Sequence, residues 1–343
     1  MTLDTILREI TAGLTGNSKD DLAYLKSQME KYKDHGLSQE ILRACGRLMY
    51  DLIPDDKKKE LENLIENDAK GIEATIKEIR FNVFEGNIEK AFKLSEALVS
   101  KIEKAPMFEN DTASEYYSFN ELFQEILYAY YNKPKRDIRA ATIPYAEIFY
   151  IHGNLLFELK RLPEAREYLK KALRWNPASC KIAFEYIETF KASKDYDEFF
   201  ELTKEQFKYA YRREDVARCY RNLGFYFVEK EEYSVAAGCL LSSLLYEADN
   251  KMAQSELYYI QEKAPNYDKP TPELLDKYSE QYGYPVRACE TVVGLSGAYS
   301  KKALEEGEND IAAYFLEIYC GLTEDEEAVA ILEQLMRQSD MEE

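Results

Sequence analysis

A chain of 343 residues exceeds one ordinary globular domain, and 45% hydrophobic with 13% aromatic residues supplies the core that a disordered chain lacks. Fourteen glycines and ten prolines are too few for a collagen-like, linker-like or many-stranded β architecture. Acidic residues outnumber basic ones 64 to 45, a formal charge of −19 that argues against a general nucleic-acid binder.

From the N-terminus onward apolar residues recur at helical spacing without alternating strand patterns, which predicts an all-α chain. Residues 1–70 read as three or four helices outside any repeat, an N-terminal cap with a polar outer face. Ser18 and Ser38 each precede an amphipathic run as N-caps do, and Gly13, Gly36 and Gly86 stand where helices should stop. A weak hairpin copy covers Ile72–Ala105, turning at Gly86 with Ala91 at a close-contact place. Residues 106–145 read as a longer hairpin-like insert with the aromatic cluster Tyr116, Tyr117, Phe119, Phe123, Tyr128, Tyr130 and Tyr131.

The clearest unit runs from Ala146 to Ser179. It sets Phe149, Gly153, Leu156, Ala165, Leu169, Ala172 and Pro177 at large, small, large, small, large, small and helix-ending places. Small residues let two helices approach, large ones fill the gaps, and Pro177 cannot continue the second helix. A degenerate copy of equal length follows at Cys180–Arg213, with Tyr196 and Phe199 at the turn-aromatic and small places. Ala217–Asn250 is a better copy, with Tyr220, Leu223, Gly224, Phe227, Tyr233, Ala236 and Leu240 in register. The interval from Gly153 to Gly224 is two such units plus a three-residue insertion. Ala264–Leu275, with three prolines, reads as a linker, and Val293–Glu326 returns to the pattern through Gly307 and Ala312. Thr323 is the expected N-cap of a last helix whose first turn is acidic.

This pattern resembles the tetratricopeptide repeat (TPR). The resemblance implies an α-α superhelix, or solenoid, of helical hairpins: residues 1–70 as the cap, 71–250 as the repeat array with its insert at 106–145, and 251–343 as linker and closing hairpins. It also implies a concave face, made by the first helix of each hairpin, that holds a protein or peptide. Carried onto this sequence, its places are Tyr150, Asn154 and Phe157, then Lys181, Phe184, Glu188 and Lys191, then Arg218, Arg221, Phe225 and Val228. Aromatic anchors beside hydrogen-bond donors suit a peptide. The lysine–asparagine clamp of chaperone-binding TPR domains matches only at Asn154 and Arg218, so that ligand is not implied. The alternative is a regulator resembling bacterial TPR pheromone receptors, in which the stack senses a peptide. Against it, residues 1–70 hold eleven basic and fourteen acidic residues and no evident DNA-reading helix-turn-helix. Self-association through the stack end or the aromatic insert is a third reading.

Charge adds one feature. Lys204, Lys208, Arg212, Arg213, Arg218 and Arg221 form a basic island opposed only by Glu205, Glu214 and Asp215. It is either a site for an acidic peptide or a solvated face paired with neighbouring acidic helices. Residues 293–343 carry thirteen acidic and three basic residues. Two histidines leave little for acid–base or zinc chemistry: His152 is expected in the core and His35 exposed. Cys180, Cys219, Cys239 and Cys320 are expected to be buried small hydrophobes, and no cysteine framework exists. No P-loop, GxGxxG, GxSxG, HExxH or calcium-loop motif occurs, so no cofactor, metal site or catalytic residue is expected. With no leader or membrane-length apolar run, the reading is a non-enzymatic cytoplasmic scaffold of bacterial style.

Overall fold

The computed structural model describes residues 2–104, 108, 110 and 114–342. The described residues form seventeen helices and one pair of short strands, so the fold is all-α. The chain divides into two compact units, Met1–Ser118 with Lys133–Leu155, and Phe119–Asn132 with Leu156–Glu343.

In the first unit α1 (Leu3–Ala12), α2 (Ser18–Lys31) and α3 (Ser38–Asp51) surround a small core of Ile6, Ile10, Leu25, Ile41 and Cys45. Gly13 caps α1. The α2 cap is Asn17, whose side chain accepts from the Lys19 and Asp20 N–H groups, so Ser18 is already helical. Leu37 occupies the cap of α3 without a side-chain bond, and Ser38 again lies inside the helix. His35 Nδ1 accepts from the Leu37 N–H at 3.1 Å, which leaves this histidine half-buried rather than exposed.

The helix α4 (Asp55–Phe84) pairs with α5 (Ile88–Lys104), and the division expected at residue 70 falls inside α4. Ala91, Ser95, Leu98, Val99 and Ile102 recur along one stripe of α5 and are buried. Ala105, the end of that hairpin copy, and residues 106, 107, 109 and 111–113 of the insert lie outside the described residues. The rest of the insert is no plain hairpin. Strand β1 (Ser114–Tyr117) leads through α6 (Leu122–Asn132), itself part of the second unit, to strand β2 (Asp137–Ala140). The strands pair in parallel from Ser114↔Asp137 to Tyr117↔Ala140, and Arg136 donates to Glu115 at 2.9 Å. In α7 (Tyr145–Glu158), His152 is 4% exposed, stacks on Phe92 and shares a 2.8 Å hydrogen bond with Ser95. It is a core histidine.

The second unit continues with α8 (Leu162–Trp175), α9 (Cys180–Ala192), α10 (Tyr196–Gln206), α11 (Arg213–Glu229), α12 (Tyr233–Tyr246) and α13 (Lys251–Lys263), each packed on the next. The proline-containing connection ends at the Thr271 cap of α14 (Pro272–Tyr282), which returns to α12. Helices α15 (Glu290–Glu306), α16 (Asn309–Leu322) and α17 (Glu326–Glu342) pack in succession.

Five hairpins share one turn. Gly86, Lys160, Lys194, Glu231 and Gly307 each adopt a positive φ, between 59° and 75°. The N–H of the following residue reaches back five positions: Asn87 to Asn82, Arg161 to Leu156, Asp195 to Phe190, Glu232 to Phe227 and Glu308 to Ala303, at 2.8–2.9 Å. This bond closes each first helix and aims the chain into the second. The interval from Lys194 to Glu231 exceeds that from Lys160 to Lys194 by three positions, so the insertion in the repeat falls between those last two turns.

Close approach is visible where α11 meets α12. A Cβ on Gly224 would lie 2.7 Å from Leu240 Cγ and 3.6 Å from the Ala236 carbonyl oxygen. Gly294, inside α15, has open space at the same test. Gly224→Ala is therefore expected to destabilise by about 1 kcal/mol, overpacking exceeding the gain in helix propensity, while Gly294→Ala stabilises by up to about 1 kcal/mol. Urea unfolding of the two variants measures the difference.

The last helix corrects the expected cap. Thr323 donates to the Tyr319 carbonyl at the end of α16, and Asp325 accepts from the Ala328 N–H at 3.0 Å. That bond, with the Tyr319 hydroxyl, holds the Asp325 carboxyl below its usual range. Cys45, Cys180, Cys219 and Cys239 are buried free thiols, whereas Cys320, like Cys289, is only half-buried. No helix among the described residues is long and apolar enough to cross a membrane.

Candidate functional site

Helices α9 and α11 are the first helices of consecutive hairpins and carry most of the places that the sequence assigns to the concave face. Their one-face spacing brings two clusters together. In the first, Arg218 donates to Glu185 at 3.2 Å while its guanidinium lies 4.7 Å over the Phe184 ring. Phe184 is 2% exposed, so its ring belongs to the core under Arg218 rather than to the surface. In the second, the Lys191 ammonium lies 4.2 Å over Phe225 and 3.6 Å from Glu188. The Phe225 ring also meets Tyr196 and Phe199 edge to face, at 5.6 and 5.7 Å. It remains half-buried, with Val228 one turn further along α11.

Arg221 is placed differently. It pairs with Glu247 at the end of α12 and donates to Ser243 at 3.3 Å, with only 15% of its side chain exposed. It ties the α11–α12 hairpin together. Phe157 lies at the end of α7 with the Lys160 ammonium 5.7 Å from its ring. Tyr150 and Asn154 fall in the other unit, both half-buried, and the Asn154 Oδ1 is buried without a hydrogen bond.

The basic island follows the paired reading. Lys204 reaches Glu201 at 2.9 Å and the Tyr282 carbonyl at 3.3 Å, Lys208 pairs with Glu205, and Arg212 pairs with Glu121 at 2.7 Å. Arg213 donates to the carbonyls of Leu245, Tyr246 and Gly321, satisfying the C-terminal ends of α12 and α16. With Arg218 on Glu185 and Arg221 on Glu247, all six cations have internal partners. Glu185, Glu247 and Glu121 were not legible as partners, because each stands far along the chain from the cation it meets.

The face that results is aromatic, with its charges paired, and is built on hairpins whose turns repeat. These hairpins are TPR-like. No protein-family profile matches the chain. No curated protein matches it either. Among solved structures, that of Pseudomonas aeruginosa pilF is similar at a TM-score of 0.42 and 15% identity, over 79% of this chain and 98% of that one. The apo form of RapI gives 0.42 and 12% over 79% and 84%. The APC/C hetero-tetramer Cut9-Hcn1 gives 0.25 and 10% over 98% and 67%. Likeness at this level carries no functional argument.

Proposed function

We propose that the protein is a non-enzymatic cytoplasmic scaffold whose α9–α11 face binds a segment of another polypeptide. The observation that carries this reading is the half-buried Phe225 ring, flanked on one surface by the ion pairs Glu185–Arg218 and Glu188–Lys191. Half-exposed ion pairs of this kind contribute little to stability, so a partner exchanges them at small cost. The segment that fits places an apolar side chain on Phe225 and one acid and one base beside it. A wholly acidic peptide fits poorly, since the cations of the island already have carboxylate or carbonyl partners.

Selection of a displayed random-peptide library on the purified protein tests this. Enriched peptides are expected to bind a Lys191→Ala, Phe225→Ala variant at least about tenfold more weakly, since a buried aromatic anchor is worth about 2 kcal/mol or more. Enriched peptides that bind wild type and variant equally, with both folded by circular dichroism, would remove the face from consideration. Arg221 is unsuited to such a test, because its guanidinium is engaged by Glu247 and Ser243 within the α11–α12 hairpin.

A further inference from the structure

A cleft of about 500 Å³ opens at the other edge of the α11–α12 hairpin, walled by the turn after α11, the α13–α14 connection and α14. Four tyrosines, Tyr233, Tyr267, Tyr278 and Tyr282, line it together with Glu231 and Glu232, and no lysine or arginine is among its lining residues. Its size is that of an ordinary small-ligand site.

The walls are fixed before any ligand arrives. Glu231 holds the left-handed turn position, with φ 59°, and its N–H bonds the Val228 carbonyl at 3.0 Å. The Tyr282 hydroxyl donates to Glu232 and so orients that carboxylate. Across the cleft, the Asp268 N–H bonds Ser234 Oγ at 2.9 Å and ties the α13–α14 connection to the start of α12. Gly238 lets α14 settle onto α12, since a Cβ there would lie 2.7 Å from Leu275 Cδ2.

Charge distinguishes this turn from its counterparts. The same place is Lys160 in the α7–α8 turn and Lys194 in the α9–α10 turn, and only here is it a carboxylate followed by another. Two cations near the cleft are engaged outside it. Lys230 pairs with Asp197 at 2.9 Å and lies over Tyr226, and Lys204 is taken by Glu201 and the Tyr282 carbonyl. Two carboxylates without a resident cation, set among tyrosine rings whose faces carry partial negative charge, suit a positively charged group that sheds its water on aromatic surface.

We propose that this cleft binds an organic monocation of the guanidinium or alkylammonium class. The inference stands apart from the α9–α11 face, and either can fail without the other. The cation comes from a basic side chain of a bound polypeptide or from a free amine, and the probes separate the two. Isothermal titration calorimetry at low salt uses acetyl-arginine methylamide, acetyl-trimethyllysine methylamide, the neutral isostere acetyl-citrulline methylamide, and tetramethylammonium. Saturable binding of the two charged amides, with citrulline at least about tenfold weaker, is the expected result. Charged amides well ahead of tetramethylammonium support a side-chain source, and equal binding of tetramethylammonium supports a free amine. Glu231→Gln, at an exposed position that leaves the Tyr282–Glu232 bond intact, is expected to weaken the cations several-fold and leave citrulline unchanged. Tyr267→Ala should weaken them as well. Citrulline binding as tightly as arginine, or no saturable binding of any cation by folded wild type, overturns the proposal.

Discussion

Phe123→Ala is expected to cost about 4 kcal/mol of the second unit's stability, the loss typical of a buried aromatic truncated without collapse of its site. Phe123 is fully buried, and its ring meets Tyr211 at 5.4 Å and Phe315 at 5.9 Å, both edge to face. Around it Leu127, Val292 and Ile318 complete a second core that joins α6, the connection before α11 and the α15–α16 hairpin. Polar contacts reinforce the same junction: the Phe123 N–H bonds the Tyr314 hydroxyl, and Glu121 pairs with Arg212. Urea unfolding is the measurement, with Phe123→Leu expected to lose less than half as much. A loss below about 1 kcal/mol for Phe123→Ala would mean that α6 does not hold this core together.

The second large effect depends on pH. Asp215, in the first turn of α11, has its carboxyl pushed up to about 7, first by burial and then by the neighbouring Glu214, with Glu121 adding to the rise while Cys180 and Arg212 oppose it. A carboxyl raised in the folded state keeps its proton there after the unfolded chain has released it. Stability from this group is therefore complete below about pH 4 and falls as pH rises through 7. A rise of roughly three units corresponds to about 4 kcal/mol at most, at roughly 1.4 kcal/mol per unit. Asp215→Asn should abolish that slope: the variant matches wild type at pH 4 and is more stable by about 2–4 kcal/mol at pH 8. Thermal unfolding from pH 4 to 8 reads the difference directly. Parallel curves for the two proteins would contradict the desolvation of the half-buried Asp215 carboxyl.

Periodicity made the hairpins legible. Leu156, Ala165, Leu169 and Ala172 are buried at the places where the repeat frame puts them, and Gly224 touches Leu240 as a small residue in that frame should. What the pattern could not show is pairing across long separations. Ser114–Tyr117 and Asp137–Ala140 are too short for an alternation to register, and their ladder closes over a helix. The insert's α6 reads as one aromatic run, yet its structural weight comes from Val292 and Phe315, near the other end of the chain. Caps were legible to within a residue or two, because Asn17 and Asp325 compete with neighbouring Ser18 and Thr323 and only backbone geometry decides between them.

At the candidate face, residue places were easier to read than residue roles. The repeat frame assigns Phe184 to a groove place, but the Arg218 side chain from the next hairpin lies across its ring and completes its burial. Arg221 shares a turn with Arg218, yet its guanidinium turns to Glu247. The tyrosine cleft gave no signal in the sequence, because its tyrosines are spread over 233–282 and meet only when α14 folds back on α12.

The most direct measurement of the central claim is photo-crosslinking from the α9–α11 face in the protein's own cells. Benzoylphenylalanine in place of Glu188 should crosslink to a polypeptide partner, and the same group in place of the exposed Leu241 on α12 should not. Added selected peptide should suppress the crosslink at 188. Crosslinks confined to 241, or a crosslink at 188 that no selected peptide displaces, would contradict the assignment of this face as the polypeptide-binding surface.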